Sequence, residues 1–322
     1  MNLLITGGAG FIGSNYIISH IKNKPEDRII NLDKLTYAGN LENLRSIEGN
    51  KNYQFVQGDI CDERLVDFII KNNEIDTIIN FAAESHVDRS IANSAPFIQT
   101  NIEGTRVLLD AALHNGKIRF HHISTDEVFG HLSPSDEPFS EKTPYDPRSP
   151  YAASKASSDH LVRAYFTTHG LPITISNCSN NYGPYQYPEK FIPLAITNIL
   201  EGKKIPLYGK GAAIRDWIQV EDHNRGVELI LEKGKPGETY LFGGGGEMAG
   251  IDLARMIINL MDASEDMIEF VSDRPGHDMR YAINSDKSQK ELGWKKEVEF
   301  EKGLADLIDW YKKNESWWKK LK

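Results

Sequence analysis

An α/β chain, in which a doubly wound parallel sheet carries a second, smaller α/β unit, is the architecture this sequence specifies. Three observations lead there. Short apolar runs alternate with helical patterns from Leu3 to Asn177. The chain opens on a strand, a glycine-rich turn and a helix. After Ser179 the composition turns polar, aromatic and rich in turn residues. The predicted units are 1–179 and 180–322, with a return of the chain to the first near 212–242.

The first unit can be justified element by element. Leu3-Leu4-Ile5-Thr6 is a short strand, and Gly7-Gly8-Ala9-Gly10-Phe11-Ile12-Gly13 follows it at once, before a helical pattern through Ile21. Glycines at 8, 10 and 13, or at 7, 10 and 13, fit the two spacings of a dinucleotide-binding loop. That loop needs a tight turn, a close backbone approach to a pyrophosphate, and free N–H groups at a helix N-terminus. A second strand, Ile29 to Leu32, ends in Asp33, twenty residues after Gly13. A carboxylate there would accept hydrogen bonds from a ribose and repel a 2′-phosphate, so NAD is favoured over NADP. The sequence thus predicts a Rossmann arrangement.

Tyr53 to Gln57 reads as a strand running into Gly58-Asp59-Ile60. Asp62 starts a helix expected to bury Leu65, Phe68 and Ile69. Asp76 to Phe81 is the next strand, capped by the small residues Ala82 and Ala83. Pro96 opens a helix with Ile98, Ile102, Val107, Leu108 and Ala112 apolar, ending at Asn115-Gly116. Ile118 to Ile123 forms the strand that leads into Ser124-Thr125-Asp126-Glu127-Val128. A long polar loop, 130–150, precedes a helix from Tyr151 to about Thr168, and Ile173 to Asn177 is a further strand. In the second unit, 191–200 and 227–231 read as helices and 205–208 as extended. Arg215 and Arg274 are placed beside turns, where guanidinium groups suit a diphosphate. The segment 301–322 reads as a closing helix with Leu304, Leu307, Ile308 and Tyr311 inward, in preference to a membrane-surface helix.

Composition excludes several classes. A net charge of −9 with no basic block argues against nucleic acid as partner. No apolar window is long enough for a membrane span. Two cysteines form no disulfide framework, and the chain opens without a secretory leader, so a cytoplasmic protein is expected. His121 and His122 point to opposite sides of one strand, and no spacing resembles a metal site.

Chemistry concentrates at 124–155. Asp126 and Glu127 fall where a buried strand stops, the usual place for reacting groups in such sheets. On an extended strand the two would point apart, so both reach one ligand only if the strand ends or bends there. Tyr151 and Lys155 share one helical face. An ammonium beside a phenol favours the phenolate, and lowering a tyrosine from pKa about 10 to about 7 takes roughly 4 kcal/mol. Lys155 together with a positive nicotinamide ring is expected to supply it.

The stretch Thr6 to Gly13 together with Tyr151-x-x-x-Lys155 resembles the extended short-chain dehydrogenase/reductase family over essentially the whole chain. Asp33 to Asn40, Ala82 to Ser90, Ser124 to Val128, Asn177 to Tyr185 and Asp273 to Asp278 are similar to its 4,6-dehydratases of nucleotide-linked glucose. The resemblance implies NAD held by Gly7, Gly10, Phe11, Ile12 and Gly13, by Asp33, Lys34, Leu35 and Thr36, and by Asp59 and Ile60. Ala82, Ala83, Ser85, Thr100, Tyr151, Lys155 and Asn181 would line its inner half. A thymidine-diphosphate-linked glucose would meet Ser85, Thr125, Asn180, Lys190, Phe191, Pro206, Tyr208, Arg215, Arg274 and His277.

The implied reaction is oxidation at carbon 4, loss of water across carbons 5 and 6, and reduction at carbon 6. Tyr151 would act on the 4-hydroxyl, Glu127 on the carbon 5 proton and Asp126 on the leaving 6-hydroxyl, with Thr125 orienting the 4-oxygen and Lys155 holding Tyr151 and the ribose. A homodimer built on 96–115 and 151–168 is also implied. Gly245, Gly246, Gly250 and Met279 depart from the pattern on the nucleotide side. A CDP-, GDP- or UDP-sugar enzyme, the last an epimerase, is the near alternative, and a non-catalytic NAD-binding sensor the distant one.

Overall fold

β1 (Asn2–Thr6) shows why this sheet forms. Leu3 and Ile5 enter one core and Leu4 another, each fully buried. A strand apolar on both faces needs helices above and below it. The computed structural model describes all residues, 1–322.

The chain then runs through α1 (Phe11–Asn23), β2 (Arg28–Asp33), a 3₁₀ helix (Leu41–Ile47), β3 (Tyr53–Gln57), α2 (Glu63–Asn72) and β4 (Thr77–Asn80). Next come α3 (Val87–Ala92), α4 (Ala95–Phe97), a π-helical stretch (Ile98–Gly104), α5 (Thr105–His114) and β5 (Arg119–Thr125). A 3₁₀ turn (Asp126–Phe129), α6 (Pro150–His169), β6 (Ile173–Cys178) and β7 (Asn180–Tyr182) follow. The remainder comprises α7 (Phe191–Leu200), β8 (Ile205–Tyr208), β9 (Ile214–Gln219), α8 (Val220–Lys233), β10 (Thr239–Phe242), β11 (Glu247–Ala249), α9 (Gly250–Leu260), β12 (Ile268–Val271), α10 (Phe300–Lys313) and α11 (Glu315–Trp318).

Seven strands form one parallel sheet in the order β10-β6-β5-β4-β1-β2-β3. Strand order reverses between β1 and β4, and this crevice at the carboxyl edge is where such sheets take ligands. One face packs Leu4, Ile30, Ile78, Phe120 and Ile173 against α2, α5 and α6. The other packs Leu3, Ile5, Ile29 and Ile79 against α1 and α8. A third core joins α7, α9, α10 and α11 around β9, and buries Trp317 and Trp318. Those indoles are inside the protein, which removes them from any membrane-surface role. No helix is long and apolar enough to cross a membrane.

Three expectations change. The inward face of α2 is Val66, Ile69 and Ile70, and Phe68 is 63% exposed. Ile98 is also exposed, at the start of the π-helical stretch, where an extra residue per turn shifts the inward face. β7 is a short strand paired with β9 inside the stretch read as turns.

Candidate active site

The glycine loop is built by close contact. Gly7 has φ +70°, and a Cβ there would fall 2.6 Å from the Ala82 backbone. A Cβ on Gly13 would stand 2.5 Å from the Gly7 carbonyl. Gly10 caps α1 without a side chain, so the first-turn N–H groups stay open to an anion. Asp33 holds the loop from behind: its Oδ2 accepts from Ala9 N at 2.9 Å and its Oδ1 from Leu35 N at 2.8 Å. Burial raises the Asp33 carboxyl, opposed by those two N–H groups.

A cavity of about 320 Å³ runs from this loop across the carboxyl edge to Lys190. Its walls include every residue expected to hold NAD except Leu35. Leu35 has φ +56° and packs its side chain into the core beside α1, so its share in the site is to turn the chain after Asp33. Asp59 pairs with Lys34 at 2.7 Å. Burial would raise Asp59, but Lys34 and the Cys61 N–H hold it below the usual range. Thr100 reaches the wall from the π-helical stretch. Asn181 also faces the cavity, but its amide is engaged with Ser179 O and His223 Nδ1. The residues present fit a dinucleotide. The loop leaves no room for side chains, the ribose carboxylate is in place, and the wall holds polar atoms without partners on Ser179, Asn180, Gln186 and Glu189.

At the reacting end β5 stops at Thr125, and the 3₁₀ turn begins at Asp126. This ending lets both carboxylates line one cavity. Thr125 Oγ1 accepts from Glu127 N at 3.2 Å and so caps the turn. Asp126 is 2% exposed with Oδ2 unpartnered. Burial, then Glu127, then Asp216, raise its carboxyl well above the ordinary range. Glu127 is raised by burial too, but Arg274, Arg215 and Lys190 oppose the rise. Burial thus favours the neutral form at Asp126 more strongly than at Glu127, whose charge is supported by three nearby cations.

Ser149 caps α6 and Pro150 starts it, which sets Tyr151 and Lys155 one turn apart on its buried face. Lys155 Nζ donates to Ile123 O at 2.7 Å and lies 3.2 Å from His122 Nε2. Burial lowers it to about 8, against the pull of Asp159. In the chain by itself Tyr151 is not lowered. Burial, then Glu127, push the phenol well above its ordinary value. The expected activation by Lys155 does not offset this rise, and a positive group entering the cavity would act to reverse it.

The residues expected for the substrate divide. Ser85, Thr125, Asn180 and Lys190 line the cavity, and Lys190 Nζ donates to Ser85 O at 3.0 Å. Phe191, Pro206, Tyr208, Arg215, Arg274 and His277 are not on its walls. Phe191 leans on the third core, and Pro206 and Tyr208 belong to β8. Arg215 sits within β9 rather than beside a turn, over the Tyr281 ring at 4.2 Å. Tyr208 donates to Asp88 Oδ2 at 3.1 Å, Arg274 lies 3.8 Å from Asp88, and His277 is 2.6 Å from Asp273.

Sequence reading missed Tyr37, Glu84, Gln186, Tyr187 and Glu189 on the cavity wall. Tyr37 and Glu84 fall inside stretches that carried the resemblance. Gln186 and Tyr187 lie in the aromatic, turn-rich segment, which was the available signal.

Comparison with known proteins agrees with this geometry. Residues 4–307 match the family model described as GDP-mannose 4,6 dehydratase. A dTDP-glucose 4,6-dehydratase of Escherichia coli is 50% identical over 349 residues, covering 100% of this chain and 96% of the relative. The crystal structure of dTDP-glucose 4,6-dehydratase from Bacillus anthracis in complex with NAD is 46% identical with TM-score 0.94, covering 100% of both chains. The UDP-glucose 4-epimerase of Thermotoga maritima with UDP-glucose is 28% identical with TM-score 0.90, covering 97% of this chain and 99% of that one. With its glycine loop, its Tyr151–Lys155 pair and its full-length likeness to these proteins, the chain belongs to the GDP-mannose 4,6 dehydratase family, within the extended short-chain dehydrogenases/reductases.

Proposed function

We propose that the protein is an NAD-dependent hydro-lyase that converts dTDP-glucose to dTDP-4-keto-6-deoxyglucose and water. One observation carries the reading. A buried Asp126, its carboxyl pushed well above the ordinary range, and a cation-flanked Glu127 share a cavity wall with Tyr151 and Lys155. Bound NAD would accept a hydride from carbon 4 of the sugar and give it back at carbon 6. Gly7, Gly10, Phe11, Ile12, Gly13, Asp33, Thr36, Asp59, Ala82 and Thr100 would hold it. Tyr151 takes the proton of the 4-hydroxyl and Thr125 orients that oxygen. Glu127 removes the proton on carbon 5, which a neighbouring ketone has made acidic, and returns a proton to carbon 5 when the hydride arrives at carbon 6. Asp126 gives its proton to the 6-hydroxyl as water leaves. Lys155 holds the nicotinamide ribose and keeps positive charge near the phenol.

Lys190, Arg215 and Arg274 supply the charge for a diphosphate, His277 a hydrogen-bonding ring beside them, and Phe191, Pro206 and Tyr208 the wall for a base. We take residues 180–322, less the return at 212–242, as the substrate unit. A homodimer through 96–115 and 151–168 and a cytoplasmic location belong to the same reading. The two free thiols, Cys61 and Cys178, suit a reducing compartment. A second reading, a differently based nucleotide, draws on the open space beside Gly245 and Gly246, where no atom lies within 4 Å of an added Cβ.

Incubation with a panel of nucleotide-linked glucoses, read by mass, tests the reading. The dTDP sugar is expected to lose water fastest. Inversion at carbon 4 without water loss would make the protein an epimerase. Tight NAD binding with no turnover of any sugar would make it a sensor.

A further inference from the structure

Ala9, in the middle of the glycine loop, is held by three hydrogen bonds. Its N–H donates to Asp33. Its carbonyl accepts from Asn40 N at 3.0 Å and from Asn43 Nδ2 at 3.0 Å. Asn43 is 1% exposed, and its other atom, Oδ1, accepts from Trp317 Nε1 at 2.9 Å across 274 residues of sequence. An indole N–H only donates, so it fixes which end of the Asn43 amide faces which partner. The NH₂ is thereby committed to Ala9.

The same distal segment holds the opposite wall. Tyr187, which lines the cavity, donates to Leu321 O at 3.1 Å. Tyr311 OH donates to Gln186 O at 2.5 Å. Tyr185, at φ +66°, sits against Trp310 and Trp317 with ring centroids 5.1 and 5.9 Å away. Lys320 pairs with Glu42 at 2.8 Å, one residue from Asn43.

We propose that the Trp317 indole and the Asn43 amide form a strap from the third core to the glycine loop, and that Trp317, acting through Asn43, is a positioning residue that slows NAD release. Resting on the dehydratase reading, this explains how one cofactor stays for successive turnovers. A reaction that returns its electrons needs no exchange of NAD, so slow release costs no turnover rate.

The test measures release of NAD from the loaded protein on dilution, by the fluorescence change on dissociation. Trp317→Phe keeps the ring and removes the N–H. Asn43→Ala removes the relay from the other side and serves if the first variant folds poorly. Trp318→Phe is the control: its indole donates to Tyr311 O at 2.9 Å, entirely within the third core. Loss of one buried hydrogen bond of about 1 kcal/mol corresponds to a roughly fivefold faster release. Trp317→Phe and Asn43→Ala are expected to show it, with Trp318→Phe at the wild-type rate despite a comparable loss of thermal stability. Equal release from Trp317→Phe, Asn43→Ala and wild type overturns the strap and leaves the cofactor reading intact. So does an equal acceleration in Trp318→Phe. A wild-type protein that takes up no NAD overturns both.

Discussion

Lys155 should make the folded protein weaker than it need be, and the amount can be worked out. Its amine is 3% exposed and is lowered from 10.5 to about 8, mainly by burial. At about 1.4 kcal/mol per pH unit this difference is about 3 kcal/mol. Between pH 8 and 10.5 the unfolded chain keeps a proton that the folded chain has released, so stability rises with pH across that window. Below about pH 8 the folded chain carries the whole penalty. Lys155→Met removes the charge but also the hydrogen bond to Ile123 O, a loss of about 1 kcal/mol. The variant is therefore expected to be more stable than wild type by about 2 kcal/mol at pH 7, and less stable by about 1 kcal/mol above pH 10.5. Unfolding entropy of about 2.1 cal/mol/K per residue over 322 residues is about 0.7 kcal/mol/K, which makes the gain at pH 7 about 3 °C in Tm. Urea unfolding of both proteins, stripped of cofactor, from pH 6 to 10.5 is the assay. Titrating groups that do not interact with Lys155 cancel in the difference; Asp159 and His122 do interact with it. A variant less stable than wild type at pH 7, or a gap that does not change with pH, would refute the reasoning.

Three further outcomes are expected. Glu127→Gln should allow the first oxidation with substrate, seen as the near-ultraviolet absorbance of reduced nicotinamide, and then stall; rapid water loss by that variant would remove Glu127 as the base. Gly13→Ala places a Cβ 2.5 Å from the Gly7 carbonyl, so titration with NAD should show affinity falling at least about tenfold (about 1.4 kcal/mol); unchanged affinity would mean that the loop can yield. Asp159 pulls the Lys155 amine upward, so Asp159→Asn should move the alkaline limb of the kcat profile to lower pH, and a limb that stays in place would dissociate the two residues.

What could be read in advance was local. The glycine loop, Asp33 at the end of its strand, and the pair Tyr151–Lys155 each follow from spacing within one element. The sheet follows because β1, β2 and β4 are apolar on both faces. The junction of Thr125 and Asp126 stayed open in the sequence, since a strand's last residue depends on how its neighbours pair. Partners far apart along the chain left no trace either. Asn43 and Trp317, or His122 and Asp159 behind Lys155, carry no pattern until folding brings them together. Phe68 and Ile98 went wrong for another reason. Apolar periodicity names a stripe, but a rotation of the helix or a π-helical turn decides which edge of that stripe is covered.

Arg274 and Tyr208 both rest against Asp88, and His277 rests against Asp273. If Arg274 and His277 receive the diphosphate as proposed, the ligand would displace an incumbent carboxylate rather than enter an open basic patch. Added salt loosens the incumbent as well as the newcomer, so affinity should fall less steeply with ionic strength than the number of cations suggests. On the proposed function the two acidic side chains would set a threshold: monoanionic sugars would gain too little to evict them, and selectivity for a doubly charged linker would arise from residues that never touch it.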